Sequence, residues 1–364
     1  MTEEQVAEYK KLVDSVVTQI SSFEANLNEF PNDSKPEYVP ATVTVSAIDA
    51  RESFEQLSTK DQLYAYWLSR ASWAGSKINF FQRSYESPAL FYLFGKVFML
   101  DTMETLKANL MSTEVGGEES EWSMITAYVA AFLMNKGNYK GFGDNKFVPE
   151  ISKEKMYKWI QASTFYKQNE SLANMLWNEN KFELYEYRKP YSVLGFPDNN
   201  GRTGYFSSNC SEADATFIAK FTNSIKLLVE NTFLLKMNDK FYQILVVSSG
   251  YNKHVQESKF YEFEGVTIEI QYGFLGSFMN EVVDSMKQAG LYNSNENQKK
   301  MVDAYVGHFT DGDLDKHKES QRWWINDKGP VIETNIGFVE TYLDPQGVRA
   351  EWEGFVAAVD KKQS

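Results

Sequence analysis

The sequence predicts an α+β protein, a mainly helical lobe around a small antiparallel β-barrel or sheet. Three observations predict it. Apolar residues recur at helical spacing from Asp49 to Asn180. Tyr, Phe, Val and Ile with partial alternation gather between Phe182 and Tyr272, and helical spacing returns from Phe278 to Phe309. With 364 residues, of which 43% are hydrophobic, the chain is long enough for two domains or one large lobe with attachments.

The first element spans residues 3–28, where Val6, Tyr9, Val13, Val16, Ile20, Phe23 and Leu27 form one apolar stripe of a long helix. Three heptads are few for a coiled-coil arm, so docking against its own domain is the favoured reading. Pro31, Pro36 and Pro40 then make an extended linker, which sets residues 1–45 apart as an appendage. Ser58 or Thr59 N-caps a helix through LYAYWLSRASWAG, and LFYLFGKVFML forms another. A helix over Ser120–Met134 precedes NKGNYKGFGDNKFVP, whose glycines and proline break the pattern into a loop. Helices are expected at Ser152–Gln168 and Ser171–Asn180. Strands are expected in FELYEYRKPYSVLGF, GYFSS, FYQILVVSSG and KFYEFEGVTIEIQYG, with a helix at Ser211–Leu228 among them. Two further helices are expected at Phe278–Gly290 and Glu296–Phe309.

Charge and cysteine content exclude several functions. The formal net charge is −13, and no basic stripe offers itself to phosphates, so nucleic acid and anionic membrane are poor partners. The opening MTEEQVAEYKK lacks the basic start and apolar run of a secretory signal. The longest uninterrupted apolar run, Ala127–Met134, falls well short of the roughly twenty residues of a membrane-spanning helix, so a cytoplasmic protein is expected. A single cysteine, Cys210, rules out an internal disulfide framework and reads as a small buried residue.

Self-contained catalytic motifs are missing from the sequence. The three histidines, His254, His308 and His317, belong to no H-E-x-x-H or H-x-x-x-H cluster that would set two imidazoles on one helix face. Asp311, Asp313 and Asp315 have the spacing of a calcium loop, but Lys316 replaces the turn glycine and Arg322 the closing acid, so no calcium site is expected. There is no G-x-S-x-G elbow and no G-x-x-x-x-G-K-[ST] phosphate cradle.

The informative stretch is GPVIETNIGFVETY, residues 329–342. Its alternation puts Val331, Glu333 and Asn335 on one face of a strand and Ile332, Thr334 and Ile336 on the other. Such a strand suits a sheet edge that pairs with an extended peptide, with the Glu333 carboxylate anchoring an ammonium group. An ordinary half-buried strand with a solvated glutamate has the same pattern, and from pattern alone it is the simpler reading.

Four separated blocks resemble the dipeptidyl peptidase III family: QLYAYWLSRASWAG (62–75), NKGNYKGFGDNKFVP (135–149), TGYFSSNC (203–210) and RWWINDKGPVIETNIGFVETYLDP (322–345). The resemblance implies a two-lobed zinc dipeptidyl peptidase that removes dipeptides from the N-termini of short peptides. This chain would supply its lower lobe, with a small β-barrel among helices. Residues 46–345 would be the peptide-binding domain, helical over 46–180 and strand-rich over 181–275, and 346–364 would begin the upper lobe. Glu333 matches the family glutamate that binds the substrate's amino end, and Phe142 an aromatic lining the cleft. Asn335 stands where animal members have a tyrosine that helps hold the scissile carbonyl, so it is assigned to binding rather than catalysis.

The family's zinc sits on two His of an H-E-x-x-x-H helix and a distant Glu in the upper lobe, and this sequence has no such motif. The resemblance therefore implies zinc in the full-length enzyme but none bound by this chain, no catalytic residue here, and a missing C-terminal half as partner. GFVAAVDKKQS carries Phe355, Val356 and Val359 at helical spacing and ends without a cap, so a helix leading into further chain is expected. The alternative is a stand-alone, non-catalytic peptide-binding or regulatory protein.

Overall fold

The computed structural model describes residue 7, residues 35–40, residue 46, and residues 49–112, 117–141, 143–199, 201–250 and 258–360. The helix expected over 3–28 and the residue Phe142 lie outside these. The chain divides into two compact units, one built on Arg83–Gly204 and the other on Ala47–Gln82 with Tyr205–Ser364.

The first unit is helical. Its helices are α4 (Ser87–Leu100), α5 (Met103–Met111), α6 (Glu119–Asn135), α7 (Lys153–Ala162), α8 (Thr164–Gln168) and α9 (Glu170–Tyr185). Local chemistry fixes their ends. Thr102 and Ser152 accept backbone N–H groups as N-caps of α5 and α7, and Glu118 with Glu121 forms a capping box on α6. Lys136 turns left-handed to stop α6, and Gly137 follows with φ +147°. Aromatic rings fill the interior: Phe94 meets Tyr128 and Phe132 edge-on and tilts against Trp159.

Instead of the strands expected at 182–196, this unit has the end of α9 and a loop held by isolated bridges at Val193 and Leu194. The Tyr and Phe residues of that stretch serve as core anchors: Tyr191 is wholly buried, and Tyr139 donates its hydroxyl to the Tyr191 carbonyl. An apolar, aromatic composition without a partner edge yields a packed loop.

The second unit combines helices with two small sheets. Its helices are α1 (Arg51–Glu55), α2 (Thr59–Gly75), α3 (Ile78–Arg83, whose last residue falls in the first unit), α10 (Glu212–Ser224), α11 (Gly276–Ala289), α12 (Glu296–Asp311) and α13 (Leu314–Asn326). The strands are β1 (Thr232–Asn238), β2 (Phe241–Val247), β3 (Lys259–Phe263), β4 (Val266–Phe274), β5 (Ile332–Glu340) and β6 (Glu351–Ala358). The first four form one sheet in the order β1-β2-β4-β3, with β2 and β4 parallel and the other two pairs antiparallel. Glu264 and Gly265 close the β3–β4 hairpin with both φ angles positive, as a two-residue turn of that twist requires.

The expected barrel does not form. β1 and β3 end the sheet and do not pair with each other, so it stays open. β1 itself, TFLLKMN, begins in a buried apolar run without the alternation that marks a half-exposed strand. The helix expected at the end of the chain is likewise a strand. β6 pairs antiparallel with β5 in a separate two-stranded sheet, Ile332 opposite Ala358 through Phe338 opposite Trp352. Eight residues containing Gly354 have too little helical propensity to outweigh a full backbone ladder.

Where a calcium loop was weighed, α12 ends at Asp311, Gly312 turns with φ +76°, and the Asp313 carboxylate caps α13 through the Asp315 N–H at 2.9 Å. Cys210 is fully buried.

Candidate functional site

β5 carries two chemically distinct faces. Ile332, Thr334 and Ile336 are buried, while Val331, Glu333 and Asn335 are half-buried, so the alternation read from the sequence is the alternation that forms. The register also settles which backbone groups point outward. The Val359 N–H donates to the Val331 carbonyl, so odd-numbered residues of β5 face β6 and even-numbered ones face the opposite edge.

That outer edge is already engaged where Glu333 sits. The Thr334 N–H donates to Glu333 Oε1 at 3.1 Å. The same oxygen accepts the indole Nε1–H of Trp324, from α13, at 2.5 Å. Glu333 Oε2 has no hydrogen-bond partner, and no Lys, Arg or His is ion-paired with Glu333, among the described residues. The site therefore presents a carboxylate with one oxygen fixed and the other open among the described residues.

Asn335, two residues along the same face, is held by α12 and α13. The Tyr305 hydroxyl donates to Asn335 Oδ1 at 3.3 Å, and Gln321 Nε2 donates to the Tyr305 oxygen at 2.8 Å. The acceptor end of the amide is thus occupied and its Nδ2 donor is left available. Tyr64, from α2, has a buried hydroxyl without a hydrogen-bond partner among the described residues. Burial first, then the charges of Asp327, Tyr305 and Glu333, push its pKa well above the ordinary tyrosine value, so it stays a neutral phenol.

Sequence reading singles out Glu333 and Asn335; it does not single out Tyr64, Tyr305, Gln321 or Trp324. Trp324 and Tyr64 do fall inside two of the blocks that resemble the family, residues 322–345 and 62–75. Their partners, however, are set by how α2, α12 and α13 pack on β5 and are not encoded by local spacing. Phe142 lies outside the described residues. A separate groove of about 920 Å³ between α2 and α11, with Tyr66, Trp67, Arg70 and Trp73 on one wall, shares no residue with the Glu333 face. Its central charges are mutually satisfied in the Lys77–Glu281 ion pair at 2.7 Å.

The family model for peptidase family M49 matches residues 176–364, just over half of the chain. This chain belongs to peptidase family M49.

Among M49 relatives, it is 40% identical over 327 residues to dipeptidyl peptidase 3 of Dictyostelium discoideum, covering 90% of this chain and 45% of that protein. It is 36% identical over 339 residues to the human dipeptidyl peptidase 3, with the same coverage. The chain spans about half the length of the curated relatives it matches. The structure of DPP III from Caldithrix abyssi aligns with 84% of this chain and 41% of that one, at 15% identity and a TM-score of 0.43.

Among the described residues no set of side chains fits the zinc that the resemblance implies for the full-length family enzyme. His308 and His317 are the two described histidines, with ring centroids 5.2 Å apart, and no group of three or more His, Cys, Asp or Glu is placed to hold a metal among the described residues. His308 Nδ1 is taken by the Asp313 carbonyl at 3.0 Å, and among the described residues no carboxylate completes the pair. No helix among the described residues is long and apolar enough to cross a membrane.

Proposed function

We propose that this chain is the substrate-binding portion of a zinc-dependent dipeptidyl peptidase, the lower lobe of a two-lobed enzyme, and that it holds short peptides by their free N-terminus. The observation that carries the reading is Glu333: a half-buried carboxylate on the polar face of β5, one oxygen held by neutral donors and the other open. A charge-assisted bond from an α-ammonium to that oxygen is stronger than a neutral hydrogen bond and distinguishes a free amino terminus from a blocked one. Asn335, whose Nδ2 has no partner among the described residues, offers a donor to a peptide carbonyl two residues along the same face. Phe142 matches, by resemblance, an aromatic that lines the family's substrate cleft.

Water activation is assigned to residues outside this sequence. A metal or a positioned general base is needed to attack a peptide bond, and neither Glu333 nor the His308–His317 pair supplies one. The chain alone then binds without cleaving. Relatives named dipeptidyl peptidase 3 support peptides as the substrate class.

Calorimetric titration of the chain with a tetrapeptide and with its N-acetylated form tests the reading. At least tenfold weaker binding of the acetylated peptide is the expected result. Equal affinity for the two forms would remove the amino-terminal anchor.

A further inference from the structure

A glutamate on a strand has three rotatable side-chain bonds, so its charge is useful for recognition only if something fixes which oxygen faces the ligand. In this protein two donors converge on Glu333 Oε1: the Thr334 N–H at 3.1 Å and the Trp324 indole Nε1–H at 2.5 Å. The first comes from the adjacent residue and fixes little beyond the local rotamer. The second reaches across from α13, near its C-terminal end at Asn326.

From this geometry we infer that Trp324 is a positioning residue for Glu333, holding Oε1 so that Oε2 faces an incoming α-ammonium. The inference rests on the reading of Glu333 as the amino-terminal anchor. The choice of donor is chemically apt. An indole N–H can only donate, so it does not compete for the ammonium, and it is neutral, so it orients the carboxylate without cancelling its charge as Lys or Arg would. The absence of any ion pair to Glu333 among the described residues agrees with that division of labour. Pre-organisation of this kind lowers the cost of ordering the side chain at the moment of binding.

The test compares affinity for a free-amine tetrapeptide with that for its N-acetylated form in the wild-type chain, Trp324→Phe and Glu333→Gln. Trp324→Phe keeps an aromatic ring and removes the N–H. A merely structural loss would weaken both peptides together, whereas a positioning loss lowers the free-amine preference itself, by about tenfold for one charge-assisted bond. If Trp324→Phe keeps the wild-type preference while Glu333→Gln loses it, the positioning role is overturned and the anchor stands. If the wild-type chain has no preference, the anchor reading fails and the inference with it.

A second measurement holds even if Trp324→Phe misfolds. The Trp324 indole N–H resonance of the ¹⁵N-labelled wild-type chain is expected downfield and is expected to move in Glu333→Gln. An unchanged resonance would overturn the inference.

Discussion

The imidazoles of His308 and His317 stand with ring centroids 5.2 Å apart behind β5, and each has one ring nitrogen without a hydrogen-bond partner among the described residues, His308 Nε2 and His317 Nδ1. His317 lies against Gly337 of β5, close enough that a Cβ there would meet the ring at 3.4 Å, and His308 meets Phe338 edge-on. Two rings packed this way have room for one charge at most, and burial disfavours even that.

Acid should therefore unfold this protein partly through His308. Burial first, then the neighbouring His317 and Lys316, hold its pKa down to about 3, against an ordinary value of about 6.5, and burial lowers His317 as well. The unfolded chain takes up these protons near pH 6.5 and the folded chain does not. The stabilisation from His308 is fully present above that pH and is lost as pH falls towards 3, by about 1.4 kcal/mol per pH unit. Urea midpoints measured at pH 7, 6 and 5 are expected to fall less steeply for His308→Gln than for the wild type. Parallel slopes would mean that His308 does not contribute.

Gly137 marks a backbone position that admits no side chain. Its φ is +147°, and a Cβ there would lie 2.4 Å from Ser87 Oγ and 2.8 Å from Arg83 Cγ, the latter close to the backbone and poorly able to move. Gly137→Ala combines an unfavourable backbone conformation with overpacking and is expected to destabilise by about 2–4 kcal/mol. Denaturant unfolding checks this, and a change below about 1 kcal/mol would show that the α6–loop junction yields easily.

Turnover separates binding from chemistry. Incubated with a dipeptidyl-arylamide with or without added zinc, the chain is expected to release no more arylamine than the buffer control, because its described histidines offer two ligands and no carboxylate beside them. Zinc-dependent release abolished by a chelator would contradict the assignment of the chemistry to residues outside this sequence.

Long helices were legible because periodicity and caps agree. Ser58 caps α2 as its position in the sequence suggests, and α2 and α7 each bury one apolar face. The polar face of β5 was legible for the same reason, since Ile332, Thr334 and Ile336 had to share one side. β6 was not. Phe355, Val356 and Val359 fit a helix as well as a strand over so short a run, and only the ladder to β5 decides between them. Nor was the support of Glu333 legible: Trp324 is nine residues away in the chain and Tyr305, which holds the neighbouring Asn335, is thirty residues from it. Spacing along a helix tells which face a residue occupies but not which side chain that face will meet.

The anchoring of a free amino terminus by Glu333 is tested most directly by one ratio, the affinity of Glu333→Gln for a free-amine tetrapeptide divided by its affinity for the N-acetylated form. Glutamine keeps the size and the Oε1 acceptor for Trp324 and Thr334 while removing the charge. The ratio is predicted to fall from at least ten in the wild type to about one. A Glu333→Gln chain that keeps the wild-type ratio would contradict the account.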